Sequence, residues 1–283
     1  AVLTVHDLQY LVFPEYFSAL KRTYLRLSQG PAVRKAAALC TVSDFTRRHL
    51  STAFGVDAAR ISVIPPAVEP LPEPTDTDRA AARRLLAGIP RFVLYPAACY
   101  PHKNHEMLVR AFAEVARYHD VHLVFTGARG AGAWGSAPDT EPRLRAVAAQ
   151  CGVGDRVHFL GYLPRPHFAA ILAEAAVVAF PSRFEGFGLP VAEAMAAGRP
   201  VVASAAAALP EVVGDGGILL DPNDPAAWAT TLTRLLDDDA ERLRLAEAGR
   251  QRARQLASVD IVAAQVAVYR RAARWDEHYG SSR

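Results

Sequence analysis

Residues 177–203 read VVAFPSRFEGFGLPVAEAMAAGRPVVA, and this stretch decides the fold. Val177 to Pro181 is a short apolar run of strand length, and Val201 to Ala203 is a second. Between them Pro190 suits the first position of a helix, Gly198 the residue just past its end, and Pro200 bars its continuation. The predicted helix, 189–197, is therefore short and sharply delimited. Strand, helix, strand with both strands apolar on every residue is the pattern of a parallel sheet covered by helices on both faces.

The same unit recurs on either side. Apolar runs at Phe92–Tyr95, Val121–Thr126, Val157–Leu160 and Ile218–Leu220 alternate with helical patterns near 103–118, 141–151, 164–175 and 208–213. That is an α/β, doubly wound, Rossmann-like arrangement. Upstream, Val2–Val5, Ala38–Val42 and Ile61–Ile64 alternate with helices at Ala19–Lys35 and Asp44–Phe54, and Ser43 is placed to cap the second of these. From Pro65 to Thr77 the chain carries Pro65, Pro66, Pro70, Pro72 and Pro74 among acidic residues, a composition that no helix or central strand tolerates. The expected division is 1–72 as part of one Rossmann-like domain, 73–90 as linker, 91–260 as a second such domain, and 261–283 as a C-terminal helix.

Composition narrows the function classes. Of 283 residues 51% are hydrophobic and 22% charged, enough to bury a sizeable core. The net charge of +3 is spread without a basic run, so a nucleic-acid partner is not expected. Cys40, Cys99 and Cys151 lack zinc or disulfide spacing, which favours a reducing, cytoplasmic setting. No grouping has metal-ligand spacing, and His102, His105 and Glu106 miss the His-Glu-x-x-His pattern. Basic residues are overwhelmingly arginine; Lys21, Lys35 and Lys103 are the only lysines.

In an open parallel sheet, ligands bind beyond the carboxyl ends of the strands, so the loops there carry the chemistry. Tyr100-Pro101-His102-Lys103-Asn104 opens a helix, where free N–H groups and the dipole already favour an anion and Lys103 adds a full charge. Phosphate is the natural ligand; a surface loop capped by Asn104 is the alternative. In Phe184-Glu185-Gly186-Phe187-Gly188-Leu189-Pro190-Val191-Ala192-Glu193 the glycines let backbone approach a ligand, and the amides at 187–189 suit a pyrophosphate. Glu185 and Glu193 would repel that anion unless they addressed hydroxyls, which a nucleotide sugar offers on its ribose and its sugar ring. A glycine turn with two solvated glutamates is the alternative. His6-Asp7, ending the first strand, is weak alone and reads equally as a capped loop.

Taken together these segments resemble glycosyltransferase family 4. Residues 184–193 match its Glu-x7-Glu signature, Ala194 to Ser204 continue the match without a gap, and Pro101–Asn104 match its basic loop. Val42-Ser43 with Phe45-Thr46, Ile64–Val68, Gly161-Tyr162-Leu163 and Leu209–Val213 follow suit. The resemblance implies two facing Rossmann-like domains of GT-B type, the N-terminal one incomplete because upstream residues are missing. It implies a retaining hexosyl transfer from a nucleotide-diphosphate sugar to a saccharide or lipid-linked acceptor, with no metal required. It further implies His6, Lys103 and Glu185 as catalytic residues, and His102, Lys103, Gly186, Phe187, Gly188, Leu189 and Glu193 as donor-binding. Lys103 would meet the diphosphate, Glu193 the ribose and Glu185 the transferred sugar. His102 departs from the pattern, standing where many members carry arginine, and adds a charge only if its pKa is raised. His6-Asp7 with Pro101–Asn104 is similar to bacterial mannosyltransferases of polysaccharide assembly, which favours GDP-mannose over a UDP-sugar. Peripheral contact with the inner face of a membrane is expected through the missing N-terminal part. A donor-binding fragment without turnover, or a sugar-nucleotide epimerase or phosphorylase of similar fold, stays open as an alternative.

Three other features are read as structural. Gly130–Gly135 fits Gly-x-Gly-x-x-Gly, but Pro138 and Pro142 follow where a dinucleotide site needs a helix. Asp237–Asp239 suits a helix cap better than a metal site. Trp228, Leu232, Leu235 and Leu236 have the spacing of a buried helix face.

Overall fold

A computed structural model describes residues 1–128 and 140–279. The chain opens with β1 (Val2–Val5), α1 (Gln9–Val12), α2 (Ala19–Lys35), β2 (Ala38–Thr41), α3 (Asp44–Phe54) and β3 (Ile61–Val63). Then come α4 (Asp76–Leu85), β4 (Phe92–Pro96), α5 (His105–Val115), β5 (His122–Thr126), α6 (Glu141–Gln150), β6 (Val157–Phe159), α7 (Arg165–Glu174) and β7 (Val177–Phe180). It closes with α8 (Leu189–Ala196), β8 (Val201–Ser204), α9 (Leu209–Val213), β9 (Ile218–Leu220), α10 (Pro225–Asp237), α11 (Asp239–Ala257) and α12 (Ile261–Tyr279).

Two parallel sheets result. The first is three-stranded in the order β1-β2-β3; the second is six-stranded in the order β6-β5-β4-β7-β8-β9. Every residue of β4, β7 and β8 is buried, which is why their sequences are unbroken apolar runs rather than alternating ones. In the first sheet the central strand β2 sends Leu39 to one face, with Val5, Val33, Leu50 and Ile61, and Ala38 and Cys40 to the other. Ser43 accepts from the Thr46 amide and caps α3, as its position predicts.

One expectation needs correction. Residues 73–90 are not a plain linker: 64–75 and 86–91 lack helix and strand, but between them lies α4, which starts on a Thr75–Asp78 capping box. Its Ala82, with Leu86 just beyond, joins the core of the larger sheet. Asp76, Asp78, Arg83 and Arg84 at its ends oppose the helix dipole favourably, and this polar sequence hid a helix whose buried face is one alanine wide. The C-terminal helix, which the sequence left without a stated partner, packs on the first sheet. Val268 and Ala272 of α12 pack on Ala38, Cys40 and Ile64, so the chain crosses back to cover the open face of the first sheet. Residues 280–283 and the Gly130–Gly135 run lie outside the described residues.

Candidate active site

The six-stranded sheet is wound from its middle. Numbered from β4, the strand order is 3-2-1-4-5-6, so the chain leaves β4 toward one edge and β7 toward the other. A crevice opens where the direction reverses, beyond the carboxyl ends of β4 and β7, which pair through Val93 with Val177 and Leu94 with Val178. The loops holding Lys103 and Glu185 issue from these two neighbouring strands. Residues 82 positions apart in sequence therefore meet: Lys103 Nζ donates to Glu185 Oε1 at 2.6 Å.

Lys103 is held from several sides. Pro101–Lys103 forms a single 3-10 turn, and the hydroxyl of fully buried Tyr95 donates to the Lys103 carbonyl at 2.7 Å. The Arg183 amide donates to the His102 carbonyl at 2.8 Å, tying the two loops together. Asn104 corrects the capping alternative. It takes a left-handed φ of 61°, and its side-chain amide donates to the carbonyls of Pro181 (3.2 Å) and Pro222 (2.7 Å) rather than capping α5. His102 stacks on Tyr100 with ring centroids 5.9 Å apart. Burial, reinforced by the Lys103 charge, pushes its pKa down to about 3, so it is neutral and supplies no second cation to the loop. His105 is pushed to about 3 as well, again mainly by burial.

The glycine-rich loop leads into α8 as its prolines and glycines predict. Pro190 lies in the first turn, Gly188 takes a φ of 103°, and Gly198 ends the helix at a φ of 67°. A side chain at Gly188 would be strained at that φ and would meet Leu209 Cδ2 at 2.6 Å. Glu193 is 8% exposed and pairs with Arg165 Nη1 at 3.0 Å, at the start of α7.

The same loop is where the two sheets' units touch. Phe184, 4% exposed, inserts its ring among Phe13, Phe45 and His49 of the first unit, at centroid distances of 6.2, 5.7 and 6.3 Å. Thr46 Oγ1 lies 3.4 Å from the Gly186 carbonyl oxygen and 3.5 Å from that of His6. A Cβ on Gly186 would sit 2.2 Å from the His6 carbonyl oxygen, so this approach requires glycine. Nearby, the Glu211 carboxylate of α9 accepts from the Asp44 and Phe45 amides at 3.1 and 3.2 Å, reaching across to the amino end of α3.

The structure thus brings Lys103 to Glu185 and the His6 backbone to Gly186, while the His6 side chain is exposed. Reading the sequence did not single out Arg165, Phe184, Thr46 or Glu211 for a role. Their partners lie far away along the chain, and the one signal available was that the last three stand inside family-like segments. No grouping of metal ligands occurs among the described residues. Asp238 caps α11 by accepting from the Glu241 amide, and Trp228, Leu232, Leu235 and Leu236 are buried, as expected.

Comparison with known proteins gives the family and the fold. Residues 76–252 match the family described as glycosyl transferases group 1, and residues 1–67 match the glycosyl transferase 4-like domain. The chain is 38% identical over 257 residues to the D-inositol 3-phosphate glycosyltransferase of Xylanimonas cellulosilytica, covering 88% of this chain and 60% of that protein. It is 31% identical over 247 residues to the O-antigen chain mannosyltransferase B of Escherichia coli, covering 86% and 62%. It spans, then, about three fifths of the length of these curated relatives. Among solved structures, Anabaena HepE in complex with UDP and glucose superposes with a TM-score of 0.75 at 26% identity, over 94% of this chain and 70% of that one. The chain belongs to the glycosyl transferases group 1 family, on a GT-B fold of two Rossmann-like units.

Proposed function

We propose that the protein transfers a hexosyl unit from a nucleotide-diphosphate sugar to a saccharide or lipid-linked acceptor, with retention at the anomeric carbon, in the cytoplasm. The observation that carries this reading is the Lys103–Glu185 pair in the crevice between β4 and β7, beside the first turn of α8. In this reading residues 1–72 with α12 form the acceptor side, and α4 with 91–260 the donor side.

Breaking the bond between the anomeric carbon and the diphosphate oxygen concentrates negative charge on the leaving group. Lys103 and the amides of Gly188 and Leu189 oppose that charge in a site already organised before reaction. A lysine suits the task because a compact ammonium sits between two phosphates as a point charge, where a guanidinium needs planar, two-point geometry. Glu185, released from Lys103 when the diphosphate arrives, accepts from a hydroxyl of the transferred sugar; Glu193, steadied by Arg165, accepts from the ribose. The acceptor oxygen then bonds to the anomeric carbon on the face the diphosphate leaves, and its proton passes to the departing phosphate oxygen. His6 lines the acceptor side.

The likeness to a mannosyltransferase favours GDP-mannose, and the likeness to HepE favours UDP-glucose. Incubating the protein with labelled GDP- and UDP-hexoses and an acceptor saccharide tests the assignment. Label should pass into the acceptor with release of nucleoside diphosphate, and Lys103→Ala should abolish it. An epimerised sugar nucleotide without transfer would overturn the assignment, and a glycosyl adduct on Glu185 would overturn the single-step mechanism. The three-fifths span supports a second reading, donor binding without turnover, which a longer chain that restores transfer would favour.

A further inference from the structure

Beside the loop that carries Lys103 lies a cavity of about 640 Å³, within the range of small-molecule sites. Tyr100, Pro101 and Asn104 line it, as does Arg183, so the two loops that meet at the Lys103–Glu185 pair also border this space. The first turns of α5 and α6 line it from the second unit, and Tyr16 from the first. Lys103, Glu185 and Glu193 do not line it. It is a separate space from the crevice beyond β4 and β7.

The charge around this cavity is one-sided. Three guanidiniums, those of Arg110, Arg143 and Arg183, line it against the single carboxylate of Glu106. Glu106 Oε1 accepts from Arg110 Nη2 at 2.9 Å and Oε2 from Arg143 Nη2 at 2.8 Å, so both oxygens are engaged while each guanidinium keeps further N–H donors. Arg183 is exposed and has no acidic partner among the described residues. His105 is neutral and adds no charge. The amino end of α5 opens here without a side-chain cap, because Asn104 is spent on the Pro181 and Pro222 carbonyls, and it too favours an anion. Two tyrosines complete the lining, each braced by a ring: Tyr100 stacks on His102 with centroids 5.9 Å apart, and Tyr16 on Phe13 at 5.3 Å. A braced phenol offers the apolar face of a sugar ring a surface and its hydroxyls a hydrogen-bond partner. A bare inorganic anion has no use for either.

We propose that this cavity is a second binding site, for a phosphorylated sugar, with Arg143 and Arg183 on the phosphate and Tyr16 and Tyr100 against the ring. Because Tyr16 belongs to the first unit and the arginines to the second, the ligand bridges the two. Arg183 stands two residues from Glu185, and its amide donates to the His102 carbonyl beside Lys103, so occupancy reaches the pair directly through the backbone. The sugar phosphate is either an acceptor or an effector of transfer; that distinction rests on the transfer reading above, and the site itself does not.

Isothermal titration of the 283-residue chain with glucose 6-phosphate, mannose 6-phosphate, glucose and inorganic phosphate tests the site. At least one hexose 6-phosphate should bind, inorganic phosphate about tenfold more weakly and glucose not detectably, and added salt should weaken binding. Arg143→Gln/Arg183→Gln should lower the affinity for the hexose phosphate at least about tenfold, since charge-assisted contacts are removed. Its melting temperature and its stabilisation by a sugar nucleotide should stay at wild-type values, both side chains being exposed. Lys103→Ala should bind the hexose phosphate as the wild type does, which separates this site from the crevice. Absence of binding by both hexose phosphates would overturn the proposal, as would equal binding by the wild type and the double variant. A loss confined to Lys103→Ala would place the sugar phosphate in the crevice instead, and inorganic phosphate binding as tightly as the hexose phosphates would remove the sugar from the site. In the transfer assay, glycosylation of the hexose phosphate identifies an acceptor, and altered transfer to a neutral acceptor with the hexose phosphate recovered intact identifies an effector; either upholds the site.

Discussion

Lys103 and Glu185 face each other across 2.6 Å with side chains only 16% and 12% exposed. Deleting either partner strands the other in a poorly solvated place, at a cost of about 3–5 kcal/mol, or roughly 5–10 °C in a chain of this size. Lys103→Ala and Glu185→Ala should each lower the melting temperature by that amount, and the double variant should regain much of it. Transfer should stay at least about 100-fold down in all three, because the cation that opposes the leaving diphosphate, or the sugar contact, is absent in each. Full additivity of the melting shifts would mean the pair is not coupled. The buried histidines make a separate prediction. His102 and His105 are held neutral, with pKa values pushed from the ordinary 6.5 to about 3. Between those values the unfolded chain binds protons that the native chain does not, so stability is full above about pH 6.5 and is lost as pH falls toward 3. Urea midpoints should drop between about pH 7 and about pH 5, with burial of His49, His122 and His158 adding to the same slope, and His105→Gln should reduce it. A pH-independent midpoint would refute the burial of these rings.

At the scale of elements, the strands and the short helix α8 were legible because sheet centre and helix ends leave strong local marks: unbroken apolar runs, Pro190, Gly198. Helix α4 was not, since its buried face is essentially Ala82 and its surroundings are proline and charge. The Thr75–Asp78 box was the one local clue, and it uses aspartate where glutamate or glutamine is the usual partner. The contact between the units was also hidden, because it joins Gly186 to His6 and Glu211 to the amino end of α3, pairs separated by most of the chain. The Gly186 contact is testable directly. Gly186→Ala places a methyl 2.2 Å from the His6 carbonyl oxygen, and two backbones must part to admit it. Transfer should fall by about 100-fold, the cost of a misplacement near one ångström, while stabilisation by the donor persists. Near-normal transfer would show that the cleft does not depend on this approach.

For the whole molecule, the strand order 3-2-1-4-5-6 does the decisive work, since it turns two distant loops into one crevice. The sequence pattern implied a doubly wound sheet, and with it a ligand at the carboxyl ends of its strands. It did not show that α12 returns to the first sheet, because nothing in an amphipathic helix states which apolar face it will meet. It also left the charge on His102 open, which depends first on burial and only then on the adjacent Lys103 charge. The central claim is the proposal that the crevice beyond β4 and β7 takes a nucleotide sugar. Thermal unfolding of the wild type and of Lys103→Ala against a panel of UDP- and GDP-sugars tests it most directly. One class of sugar nucleotide should raise the wild-type melting temperature by several degrees at saturating concentration, with little effect on Lys103→Ala. Equal stabilisation of both proteins, or none of the wild type by any nucleotide sugar, would contradict the account.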